Sequence, residues 1–174
     1  MTAAEFSDLN FYRNVFREML RIGNPTRIGN DSPSYARILI SELLQFSKDE
    51  VWIYCDSLKN DVWGSPVVTQ ELDNAIARGV KFNVIAQKGV DNNSIAADRF
   101  KRANVAIHKS TKELDQNFMV VDSKAYRLET NTNDRKGYAS AYSPENASKL
   151  IQAFNNLDEN ASKDSEKSKG EAPK

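Results

Sequence analysis

Two short, nearly continuous apolar runs, Val51-Trp52-Ile53-Tyr54-Cys55 and Lys81-Phe82-Asn83-Val84-Ile85-Ala86, constrain this chain more than any other feature. Runs of this kind, without strict polar alternation, suit parallel strands covered on both faces. Parallel strands need long crossovers, and helix-patterned segments near residues 66–78 and 93–103 supply them. Further strands are expected at about 105–108, 116–121, 125–129 and 136–141. The predicted fold class is α/β, a mixed sheet flanked by helices.

Around this body the chain divides into three parts. Residues 1–30 form an N-terminal helix and loop. From Glu5 to Ile22, Tyr12, Val15, Phe16, Met19 and Leu20 follow the spacing of one buried helical stripe. Gly23-Asn24-Pro25 ends that helix, because proline cannot continue the hydrogen-bond ladder. A loop rich in Gly, Asn and Pro then leads to Asp31-Ser32-Pro33, a cap followed by proline at the first helical position. Residues 31–159 form the α/β domain. Its last helix opens at Ser143-Pro144-Glu145 and reaches about Leu157, with Leu150, Ile151 and Phe154 on its apolar side. Residues 160–174 hold no large apolar residue and are expected to be a disordered tail, too polar to offset their conformational entropy.

At 174 residues there is length for one core. Lys plus Arg and Asp plus Glu both number 24, so no global positive field draws in nucleic acid or anionic membrane, and any such site must be local. The single cysteine, Cys55, excludes an intrachain disulfide framework. No apolar run approaches the ~20 residues needed to span a bilayer. The N-terminus lacks a basic-then-apolar signal pattern, and the expected setting is cytoplasmic.

The stretch Asp115-Gln116-Asn117-Phe118-Met119-Val120-Val121-Asp122 resembles the signature strand of the phospholipase D-like superfamily, His-x-Lys, four residues, then Asp. Asp122 stands at the family's aspartate, but Asp115 occupies the nucleophile position and Asn117 the phosphate-binding lysine position. The resemblance extends over about 33–160 and includes the helix-turn-strand Ala77-Arg78-Gly79-Val80-Lys81. The family's Gly-Ser-x-Asn turn is degraded to Glu129-Thr130-Asn131-Thr132, where Thr130 could replace the serine hydroxyl. In the family the histidine attacks phosphorus and the lysine neutralises the phosphoryl oxygens. An aspartate and an amide at those positions repel or fail to neutralise a phosphodiester. The resemblance therefore implies a pseudoenzyme. It also implies a second half-site, supplied by a homodimer or a partner protein, because family members build one site from two halves. No cofactor or metal is implied.

Strand alternation places Asp115 and Asn117 on one face and Asp122 on the other unless a bend intervenes, and Asp122 can instead cap the following turn. His108 is the only histidine, seven residues early for the signature position, and reads as a surface or strand-edge residue. Arg13, Arg17 and Arg21 recur every four residues. Only Glu18 is placed within the helix to compensate them, so the stripe is either a solvated face or a site for an anionic partner. Arg99, Lys101, Arg102, Lys109 and Lys112 form a second basic cluster that could track a phosphate backbone, with Asp98, Glu113 and Asp115 interspersed. Trp52, Trp63, Tyr54 and Tyr126 could stack bases or pack in the core.

Two functions from different classes remain open on the sequence. One is a catalytically inactive binding or regulatory module, for nucleic acid or a partner protein, with Arg13, Arg17, Arg21, Arg99, Arg102 and Lys109 as binding residues. The other is a nuclease or phosphodiesterase with a rebuilt site using His108, Asp115, Thr130 or a bound metal, or one completed by a partner chain.

Overall fold

A computed structural model of the chain describes residues 2–167. Its elements run α1 (Ala3–Ile22), β1 (Arg27–Asn30), α2 (Pro33–Phe46), β2 (Glu50–Cys55), α3 (Pro66–Ala77) and β3 (Lys81–Ala86). Then come α4 (Ile95–Arg102), β4 (Ile107–His108), β5 (Asn117–Val121), β6 (Ala125–Asn131), β7 (Lys136–Ser140) and α5 (Pro144–Lys167). The seven strands form one mixed sheet in the order β1-β7-β6-β5-β2-β3-β4. β2, β3 and β4 are parallel, and the other pairings are antiparallel.

Local signals set the helix ends. Thr2 and Glu5 form a reciprocal capping box at the start of α1. Gly23, at φ 66°, closes α1 in the left-handed conformation that glycine adopts without strain. Ser32 accepts the Tyr35 N–H and Pro33 takes the first helical position of α2. Past α3, Arg78 donates from Nη2 to the carbonyls of Leu44 and Ser47, so it satisfies the C-terminal end of α2.

β1 corrects the expected loop between α1 and α2. Arg-Ile-Gly-Asn has no alternation to betray a strand, and it is ordered by pairing antiparallel with β7. Tyr12 donates its hydroxyl to the Gly29 carbonyl, and the Arg27 guanidinium lies 4.5 Å from the centre of the Tyr138 ring. The N-terminal 30 residues thus share the sheet and the core of the rest: Phe16, Met19 and Leu20 pack with Leu39, Leu43 and Val51.

The sheet separates two apolar clusters. One lies under α1–α4; the other joins Tyr54, Phe118, Val120 and Tyr126 to Ala147, Phe154 and Leu157 of α5. The four aromatics that could have stacked bases are committed to packing. Trp52 meets Phe154 edge-on at 5.1 Å, and Tyr54 stacks on Phe118 at 5.5 Å. Tyr126 and Trp63 are buried. α5 continues beyond Leu157 to Lys167, and residues 168–174 of the expected tail lie outside the described residues. Among the described residues no helix is long and apolar enough to cross a membrane.

Candidate functional site

Antiparallel pairing brings the start of β5 beside the end of β2, and this corner of the sheet opens into a cleft. Asn117 and Glu129 are register partners, as are Met119 and Arg127, so Asn117, Glu129 and Arg127 share one sheet face as the floor. Ser32, Pro33 and Ala36 from the first turn of α2, and the loop from Asp56 to Trp63, form the walls. Thr132 and Arg135 close the cleft from the β6–β7 turn. Asn30, Gly137, Glu129 and Asn117 form one row across four strands. A Cβ at Gly137 would collide with the Leu128 carbonyl, so only glycine lets β7 approach β6 beside the irregularity at Glu129 and Asn131.

The polar groups of the floor are largely engaged with one another. Asn117 Oδ1 accepts the Asp56 N–H at 3.1 Å. Arg127 Nη2 donates to Glu129 Oε2 at 3.0 Å, and the two side chains are only 7% and 13% exposed. Among the described residues, Arg127 Nε and both amide atoms of the buried Asn30 have no hydrogen-bond partner. Arg135 pairs with Asp61, and Lys88 Nζ lies 3.6 Å from Asp56. Lys59, Arg127 and Arg135 thus face Asp56, Asp61 and Glu129, and the cleft has no excess of either sign. Cys55 also lines it, with a thiol that burial pushes far above its ordinary range, which removes it as a thiolate nucleophile.

Several residues singled out by sequence stand elsewhere. Strand β5 begins at Asn117, so Asp115 lies in an exposed bend outside the cleft lining, and strand alternation does not govern it. That bend is held by the Leu114 N–H, which donates to the Tyr54 hydroxyl at 2.9 Å. Asp122 follows the far end of β5, roughly 17 Å along the strand from Asn117. With φ at 49°, its carboxylate accepts the N–H groups of Lys48, Asp49 and Glu50 at 3.0, 2.8 and 3.0 Å. It ties down the α2–β2 connection rather than capping its own turn. Thr130 is exposed and donates to the Lys136 carbonyl; Thr132, two residues on, is the threonine in the cleft. His108 shares a register row with Ile85, Tyr54 and Phe118, on the opposite sheet face from Asn117. Three strand spacings, ~14 Å, separate it from β5. Among the described residues no cluster of His, Cys, Asp or Glu is arranged to hold a metal.

The arginine stripe is answered from a neighbouring helix, not only from Glu18. Arg17 donates through Nε and Nη2 to the buried Glu42 of α2, both at 2.8 Å, and Arg13 Nε lies 3.5 Å from the same carboxylate. Arg21 pairs with Glu18. Arg99 pairs with Asp73 at 3.0 Å and Arg102 with Asp98 at 2.7 Å, while Lys109 is exposed just after β4. Sequence reasoning missed Arg127. Its signal was a lone charge inside Ala125-Tyr126-Arg127-Leu128, a position that has to be buried if the strand is central.

No protein-family model and no curated protein matches the chain. Solved structures do. Nuc from Salmonella typhimurium, a phospholipase D family member, superposes with a TM-score of 0.57 at 14% identity, covering 77% of this chain and 94% of that one. The chain has a phospholipase D-like fold. TrmBL2, an archaeal chromatin protein with a novel mode of DNA binding, is also similar, with a TM-score of 0.55 at 12% identity. That likeness covers 88% of this chain and 59% of TrmBL2. Within this phospholipase D-like fold the cleft described above lies at the strand carrying the signature-like stretch.

Proposed function

We propose that this phospholipase D-like domain is a pseudoenzyme, a non-catalytic binding module whose partner is nucleic acid. One observation carries the loss of chemistry: at the phosphoryl-binding position Asn117 spends its oxygen on the Asp56 N–H, and Glu129 lies beside it in register. A phosphodiester docked there meets Glu129 and Asp56, and Arg127, the one buried cation among the described residues, is already paired with Glu129. Removing one electrostatic donor costs roughly 100- to 1000-fold in well-studied enzymes, and here nucleophile and cation are both replaced. The rebuilt-nuclease reading loses its histidine, since His108 is on the other face of the sheet. The purified protein is expected to hydrolyse neither bis-p-nitrophenyl phosphate nor single- or double-stranded DNA. Turnover that persists through purification, and falls on Asn117→Ala, would overturn the reading. Asp115→His with Asn117→Lys should restore little, because Glu129 and Asp56 remain.

Nucleic acid as partner is supported by the likeness to a DNA-binding chromatin protein and by exposed Lys101, Lys109 and Lys112 around the end of α4 and the β4–β5 loop. The overall charge is zero, so contact is local and the affinity modest. Fluorescence anisotropy with labelled duplex should show binding that weakens with salt, each lost phosphate contact changing the log–log slope by about 0.9. Charge reversal at Lys101, Lys109 and Lys112 should abolish it; unchanged binding would place the interface elsewhere. A second copy of the chain is the partner we propose for the missing half-site, with the two clefts near the two-fold axis.

A further inference from the structure

The floor of the cleft is a buried ion pair, Arg127 with Glu129, and its rim sets Lys59 and Arg135 against Asp56 and Asp61. A ligand carrying one net charge is attracted by one half of this set and repelled by the other. A dipolar ligand of zero net charge gains from both halves when it lies antiparallel to the Arg127–Glu129 pair. The guanidinium also keeps unused donor capacity, because among the described residues Nε has no acceptor while Nη2 serves Glu129. The first turn of α2 adds the positive end of a 14-residue helix to one wall, through Ser32 and Pro33. Ala36, Ile40 and Met119 supply an apolar patch beside these charges. The cavity volume is about 80 Å³, enough for a small ligand rather than a polymer segment.

We propose that the cleft is a binding site for a small zwitterion, an α-amino acid with a short side chain. The carboxylate takes Arg127 and the end of α2, the ammonium group takes Asp56 and Glu129, and the side chain meets Ala36 and Ile40. The proposal rests on the cleft being non-catalytic. The hydrolysis assay tests that premise separately, so turnover and failed ligand binding are distinguishable results.

Isothermal titration of the full chain with L-alanine and with L-serine, beside propionate, ethylamine, glycerol and inorganic phosphate, tests it directly. Saturable binding of at least one amino acid is expected, with propionate and ethylamine each weaker by about tenfold or more, the loss that follows removal of one charged partner. Glu129→Gln should weaken amino-acid binding by a similar factor while tightening propionate, which no longer meets that carboxylate beside Arg127. Because that residue is buried, Asp56→Asn at the rim provides a second variant, with melting temperature checked for both. No saturable binding of either amino acid at about 10 mM would overturn the proposal. So would equal affinity for propionate, or tighter binding of glycerol or phosphate.

Discussion

Asp122 shows how one side chain can hold a family position and do structural work. Its carboxylate satisfies three successive backbone N–H groups at 3.0, 2.8 and 3.0 Å. Asp122→Ala should cost about 1–2 kcal/mol, since two of the three donors are exposed and only that of Glu50 is partly buried, read as a lower urea midpoint with an unchanged slope. A variant within about 0.5 kcal/mol of wild type would show that solvent replaces the carboxylate. Cys55 gives a pH-dependent prediction. Burial holds its thiol protonated far above its ordinary value near 9, so the folded state keeps a proton that the unfolded chain releases. That contribution is complete below the unfolded value and is lost as pH rises past it, by up to about 1.4 kcal/mol per pH unit. Denaturation at pH 8 and pH 10 should show the decline, and Cys55→Ala should flatten it. Buried tyrosines raised in the same direction, Tyr54 and Tyr126, add to the slope nearer pH 10 and are common to both proteins.

At the scale of elements, α5 is anchored by its first half. Ala147, Leu150, Ile151, Phe154 and Leu157 are packed against the sheet, and Leu157 is the last large apolar residue before the polar remainder. Truncation after Asn160 should leave the melting temperature within about one degree, since surface changes away from packed features rarely exceed about 0.5 kcal/mol. Phe154→Ala should cost about 3–5 kcal/mol by leaving a cavity over Trp52. A fall of several degrees in the truncated chain would mean that the end of α5 contributes contacts of its own. The contrast between β1 and β5 is instructive at the same scale. The apolar pattern Phe-Met-Val-Val announces β5 from sequence, whereas the Arg-Ile-Gly-Asn of β1 has one apolar residue and is a strand only because β7 lies beside it.

For the whole molecule, the proposed dimer is decided by a balance. An isologous interface with an apolar centre persists without catalytic residues, because packing maintains it. Two copies of Asp115 approaching at the axis oppose it: at about 8 Å and an effective dielectric near 20, one such pair costs on the order of 2 kcal/mol. Glu129 adds little to that repulsion, being paired with Arg127 within its own chain. Sedimentation equilibrium at micromolar concentration should therefore return twice the 19.6 kDa chain mass. A single-chain mass across the whole range would move the missing half-site to a different protein.

Sequence patterns were enough to place every element except β1, the parallel pair at 51–55 and 81–86, the phospholipase D-like frame and the replacement of its nucleophile and lysine positions. Those are properties of periodicity, capping and residue identity, and each is local. Tertiary structure alone decided what lines the cleft. Asn117 gains its neighbours Glu129 and Arg127 through strand register. Glu42 answers Arg13 and Arg17 through helix packing. Asp122 reaches backbone more than 70 residues earlier in the chain. His108 and Thr130 are excluded from the cleft by the face and end of the strands that carry them. Such partnerships join residues far apart in sequence. Their energies depend on distance and burial, quantities that a one-dimensional pattern does not contain.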